Sequence, residues 1–146
     1  MDGTAHKILV GIDGSKEALG AVRWAVEEAT HRGATVEVLH VWHYVYMGDP
    51  MGISAVASME GVEQSAQLVI DEALADIGPA GDAVHLTGRA VEGATAKVLL
   101  EEAANADLLV VGRRGHGGFM GLLLGSVAQQ LAHHAPCPLV IVPTDL

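Results

Sequence analysis

The sequence predicts an α/β fold, an open five-stranded parallel sheet with helices on both faces. Two observations point to it: short runs of branched apolar residues recur along the chain, and segments with a helical period of apolar residues separate them. A third, turn-forming residues at nearly every junction, sets the boundaries.

Lys7 to Ile12, KILVGI, reads as a strand buried on both faces. Asp13, Gly14 and Ser15 follow as a turn-forming cluster that can also cap a helix. From Lys16 to His31 the period changes: Leu19, Val22, Val26 and Ala29 recur at three and four residues, the pattern of a helix laid on a sheet. Arg32 and Gly33 end it, and TVEVLHVW, Thr35 to Trp42, is the second strand. Strand, helix and strand in this order imply a right-handed parallel crossover.

His43 to Ser58 has turn residues and no clear period, so it reads as a loop. Val62, Ala66, Val69, Ile70, Ala73, Leu74 and Ile77 then mark a long amphipathic helix that Gly78 and Pro79 stop. Ala83 to Leu86 is the expected third strand, and Gly88 to Gly93 a connection carrying Arg89. Ala94 to Ala104 is helical, Asp107 to Gly112 the fourth strand, and Pro138 to Val142 the fifth. Between the last two lie the glycine-rich stretch GRRGHGGFMGLLLGSV, Gly112 to Val127, and a helix from Ser126 to Ala135. Ser126 and Gln129 match the S-x-x-Q capping box, which predicts a helix beginning at Val127.

At 146 residues the chain is expected to form a single domain, 1–146, since one core commonly serves about 100–200 residues. No run approaches the roughly 18 apolar residues of a membrane span, and the first residues lack the shape of a signal peptide, so a cytoplasmic location is expected. A formal charge of −10 argues against DNA or RNA as partner, because nucleic-acid affinity rests on cations. The same charge leaves room for a small anion held by backbone amides, a mode that uses local dipoles. Cys137 reads as a small buried thiol. His133 and His134 are adjacent, so on a helix they point about 100° apart and do not form the i, i+4 pair that a helical metal site prefers.

In doubly wound sheets the ligand lies beyond the carboxyl ends of the strands, where the strand order reverses. With the first strand central and the fourth beside it, that crevice is bounded by Gly11, Ile12, Asp13, Gly14 and Ser15 on one side and by the loop after Gly112 on the other. The two most glycine-marked turns of the chain then face each other, and the helix starting near Gly125 and Ser126 directs its unpaired N–H groups at an anion. Two common phosphate motifs are missing: there is no G-x-x-x-x-G-K-[ST], and Met120 stands where G-x-G-x-x-G needs its third glycine. Phosphoryl transfer needs an oriented nucleophile and strong charge stabilisation, and no such group is evident.

The chain resembles the universal stress protein family over nearly its whole length. The segments KILVGIDGSKEALGAVRWAVEEA, LHVW, ADLLVVGRRGHGG and CPLVIVP carry the likeness, together with G-x2-G-x9-G-[ST], met by Gly112, Gly115, Gly125 and Ser126. In that family the motif marks members that bind ATP. The resemblance implies a Rossmann-like fold of the adenine nucleotide alpha hydrolase type. It further implies that Gly112, Gly115, Gly125, Ser126 and the Val127 amide hold ribose and phosphates. Asp13 would lie beside the nucleotide and hold a phosphate-bound Mg2+, and Val41 would meet the adenine through its backbone. Arg113 and Arg114 are candidates for phosphate pairing, with Arg114 counted in the cradle. The expected function is a nucleotide-dependent sensor or regulator of the stress response. The alternatives are a slow ATPase or a module for AMP or cyclic AMP. The family also implies a homodimer through the last strand, Pro138, Leu139, Val140, Ile141 and Val142, an apolar edge whose backbone groups seek a partner.

Overall fold

The computed structural model describes residues 6–43, 59–113 and 124–143. In chain order the elements are β1 Lys7–Ile12, α1 Lys16–Arg32, β2 Thr35–Trp42, α2 Met59–Ile77, a 3-10 turn Gly78–Ala83, β3 Leu86–Glu92, α3 Thr95–Ala103, β4 Leu108–Gly112, α4 Ser126–His134 and β5 Leu139–Val142. The five strands form one parallel sheet in the order β3-β2-β1-β4-β5. The order reverses between β1 and β4, which is the arrangement expected from the sequence.

Alternation along each strand divides the core between the two faces. Ile8, Val10, Val36 and Val38 point to the α1 and α2 side, where they meet Ala21, Val22, Ala25, Ile70 and Ala73. Leu9, Leu39, Leu109 and Val111 point the other way, onto Leu99, Ala103, Ala128 and Leu131 of α3 and α4. The many alanines on the buried side of α1 let its backbone lie close to the sheet, and Gly33, in the left-handed conformation at φ 65°, ends the helix with its N–H on the Ala29 carbonyl.

β3 departs from the sequence expectation. It runs from Leu86 to Glu92, so the stretch expected to be a connection is the strand, and most of Ala83 to Leu86 lies before it. Two causes concealed it. The residues after α2 are taken up by the 3-10 turn, with Pro79 in its first positions. The strand is also an edge, half exposed throughout, and it carries Gly88 and Arg89 in its interior. Gly88 is there for room: a Cβ on it would lie 2.6 Å from Ile70 Cγ2 of α2. Arg89 is held by charge, as described below.

α4 begins at Ser126, within the span expected, but without the expected cap. Ser126 is its first residue and Gly125 the cap, with no side-chain bond at the cap. Gln129 sends its Nε2 to the Leu124 carbonyl at 3.2 Å rather than back to a cap amide. The capping box is therefore not formed, because the chain already enters the helix in extended geometry at Gly125, with φ −69° and ψ 163°.

Candidate functional site

The carboxyl end of β1 leads into a turn in which local bonds join Asp13, Ser15 and Ala18. Asp13 Oδ1 accepts from the Ser15 backbone N–H at 2.9 Å and from the Ser15 hydroxyl at 2.6 Å. Ser15 Oγ in turn accepts from Ala18 N–H at 3.2 Å, so Ser15, not Asp13, caps α1. Asp13 acts on the helix through Ser15, and its negative charge lies near the positive end of α1. Gly14 between them has φ 88°, a conformation in which other L-residues are strained.

The carboxyl end of β4 faces this turn, since Val10 of β1 is registered with Val110 of β4. Gly112 ends the strand, and the Arg113 N–H donates to Val142 O of β5 at 2.9 Å. The Arg113 carbonyl then accepts from Gly125 N–H at 2.9 Å. This bond brings the two ends of the glycine-rich stretch together and delivers α4 to the same corner of the sheet. The Gly125 carbonyl takes the Gln129 N–H at 3.0 Å as the first helical bond. The N–H groups of Ser126, Val127 and Ala128 are left as the unsatisfied donors of a helix start. Gly125 is buried and Ser126 exposed.

The structure thus brings together Gly11, Ile12 and Asp13 with Gly112, Gly125, Ser126 and Val127. Arg114 and Gly115 lie outside the described residues, as do residues 116–123 of the glycine-rich stretch. Residues 44–58 of the loop expected from His43 to Ser58 lie outside them as well. Gly11 has a packing duty: a Cβ there would stand 2.9 Å and 3.0 Å from the two Leu99 methyl carbons. Val41 is 7% exposed, its side chain committed to the core beneath α3 and α4. Only its backbone can then face a ligand. Trp24 packs partly into the core on the α1 side.

Two features of the site were not read from the sequence. His40 directs Nδ1 to the Ile12 carbonyl at 3.0 Å, linking the ends of β2 and β1. The signal for it was available, since His40 is the polar residue in the otherwise apolar run LHVW. The second is Ser15 as the pivot of the first turn.

Charged side chains gather at the opposite end of the sheet. Lys7 Nζ lies 3.4 Å from Glu37 Oε1, and Arg89 lies 3.4 Å from the same oxygen while also pairing with Glu102 of α3. Burial works against the Arg89 charge, but Glu37 and then Glu102 outweigh it and push the guanidinium up from its ordinary value. Asp107 accepts from the Lys7 backbone N–H at 2.8 Å and lies 3.7 Å from His6 Nδ1. Cys137 is half-buried nearby; burial and the Asp107 charge push its thiol up, and the Leu109 amide partly offsets them. His133 and His134 are exposed, with ring centroids 6.2 Å apart. Among the described residues no group of three or more His, Cys, Asp or Glu side chains could hold a metal ion. No helix of the described residues is long and apolar enough to cross a membrane.

A switch-point crevice lined by main chain and a helix start defines a Rossmann-like α/β protein. Residues 4–143 match the model of the universal stress protein family, and the chain belongs to that family. It is 38% identical over 137 residues to a universal stress protein of Mycolicibacterium smegmatis, covering 92% of this chain and 45% of the relative. The chain spans about half the length of this and the other mycobacterial relatives it matches. Among solved structures, universal stress protein UspA from Lactobacillus plantarum superposes with a TM-score of 0.78 at 21% identity, covering 97% of this chain and 99% of that one. A universal stress protein in complex with cAMP superposes with a TM-score of 0.71 at 29% identity, covering 98% of this chain and 100% of that one. More distant members share the fold at 18% and 20% identity. One, from Archaeoglobus fulgidus, is in complex with dAMP, with a TM-score of 0.66 over 94% of this chain and 97% of its own. The other, from Arabidopsis thaliana, has AMP bound, with a TM-score of 0.63 over 94% of this chain and 91% of its own.

Proposed function

We propose that this chain binds an adenine nucleotide, ATP with its Mg2+ as the first choice, and acts as a nucleotide-dependent regulator of a stress response in the cytoplasm. The observation that carries the reading is the 2.9 Å bond from Gly125 N–H to Arg113 O. It sets the start of α4 beside the turn after β1, so two sets of backbone donors converge where a phosphate chain would lie. Gly112, Gly125, Ser126 and the Val127 amide take the phosphates and ribose, together with Gly115 and Arg114. Gly11 and Ile12 line the β1 side, and the Val41 backbone meets the adenine. Mg2+ characteristically takes one or two carboxylates plus phosphate oxygens, which fits Asp13 as a single protein contact to an ion carried by the nucleotide.

The sequence carries no P-loop lysine motif and no evident group to orient a nucleophile for phosphoryl transfer. Binding therefore exceeds turnover, and any ATPase activity is slow. A second reading, cyclic AMP or AMP as ligand, is supported by the 29% identical relative in complex with cAMP. Purifying the protein without added nucleotide, denaturing it and identifying what is released separates these. ATP supports the first, AMP or cAMP the second, and an empty protein that also fails to bind either in titration defeats both.

β5 lies at the sheet edge with Leu139, Val140 and Ile141 half exposed. This supports a homodimer of single 146-residue domains, with Pro138, Leu139, Val140, Ile141 and Val142 as the contact strand. Light scattering that gives a monomer mass at micromolar concentration would exclude it.

A further inference from the structure

We infer that His40 is a positioning residue of the nucleotide site, acting through the Ile12 carbonyl to set the turn that carries Asp13. This rests on the reading of that site as a nucleotide cradle. Ile12 and His40 are registered partners at the last step of the β1–β2 ladder. The ladder starts with Thr35 N–H on His6 O, and steps of two bring the Val41 N–H onto Ile12 O. His40 Nδ1 reaches the same oxygen at 3.0 Å. A carbonyl only accepts, so Nδ1 carries the proton and donates, and both lone pairs of Ile12 O are then used.

The position explains the consequence. β1 and β4 remain registered only as far as Val10 and Val110, so beyond that point β1 has lost its neighbour on the crevice side. The Ile12–Asp13 peptide is the last unit of the ladder, held through its carbonyl alone. Its plane decides where the Asp13 N–H and carboxylate point. His40 holds that plane from the β2 side, while Asp13 and Ser15 fix the turn from within. The same oxygen ties the Asp13 turn to the Val41 amide, so His40 joins the phosphate side of the cradle to the adenine side. Val69 of α2 lies against Gly14, its methyl carbons 3.5 and 3.7 Å from a Cβ built there, which limits how far the turn can move on the α2 side.

The test compares wild type with H40L, H40V and H40N. Asn places an N–H donor near the position of Nδ1, whereas Leu and Val have none. Two readouts are taken: amide exchange at Asp13, Gly14 and Ser15 in the nucleotide-free protein, and titration with ATP and with cAMP. In H40L and H40V exchange at these amides should rise about tenfold and affinity for the bound nucleotide fall about tenfold, the scale of one lost hydrogen bond. H40N should restore both to within about threefold. Unchanged exchange in whichever apolar variant folds, or an H40N as fast as the apolar variants, overturns the inference. A wild type that binds neither nucleotide defeats the cradle reading instead, and the exchange comparison still decides whether His40 holds the turn.

Discussion

The two ends of the sheet are built from different materials. At the amino end, side chains do the joining: Lys7, Glu37, Arg89 and Glu102 link three strands to α3, and Asp107 gathers His6 and the Lys7 amide. At the carboxyl end main-chain and local bonds do much of the joining, such as Arg113 to Val142, Gly125 to Arg113 and Ser15 to Asp13, with the His40 ring on the Ile12 carbonyl as a side-chain tie among them. Main-chain groups are thus in place at the carboxyl end, as the nucleotide proposal requires. The amino end has its charges already matched to one another and offers a ligand little.

Three substitutions test this contrast, from the strongest effect to the weakest. Gly125→Glu places a carboxylate beside the helix start. It should weaken nucleotide binding by about 100-fold or more, as like charges brought together cost several kcal/mol. Calorimetric titration reads it, and a single-turnover hydrolysis assay on the same variant separates true activity from contamination. Gly14→Val forces a branched side chain into φ 88°, and should cost about 1–2 kcal/mol of stability in a urea titration, with weaker binding as well. Arg89→Met should change stability by less than about 1 kcal/mol, because the pairs it breaks are partly solvated, and should leave nucleotide affinity unchanged.

Arg89 also gives a pH prediction. Its raised value belongs to a cation, so its contribution is complete below the unfolded pKa and lost only as pH rises through the folded one. Both lie far above the neutral range, and the stability gap between wild type and Arg89→Met should stay flat from about pH 6 to 10. The smallest effect concerns Cys137. Burial and the Asp107 charge keep its thiol protonated to higher pH, so iodoacetamide at mildly alkaline pH should label it more slowly in the native protein than in urea.

Much of the carboxyl end was legible because its signals are local. Asp13-Gly14-Ser15 announces a turn by composition, and the run KILVGI announces a strand buried on both sides. The placement of β1 beside β4 enters as a condition of a doubly wound sheet, and the strand order β3-β2-β1-β4-β5 meets it. The amino end was not legible in this way: nothing in the sequence pairs Arg89 with Glu37, 52 residues away, until the β2–β3 register is known. The same ignorance misplaced β3, since a strand holding Gly88 and Arg89 looks like a loop until Ile70 and the two glutamates are brought against it. Ser126 was misassigned for a related reason. A capping box is a statement about backbone angles, and the four letters alone do not reveal that the chain enters the helix one residue earlier.

The bond from Gly125 N–H to Arg113 O has a consequence for how this chain can change over time. It fixes the two points between which residues 114–123 are strung, and it does so without a side chain. Lengthening a flexible closed segment costs only about 0.6 kcal/mol for each doubling. Residues inserted or exchanged between those anchors would leave Gly112 and the start of α4 where they are. Variation in that segment is therefore separable from the main-chain contacts that hold its two ends.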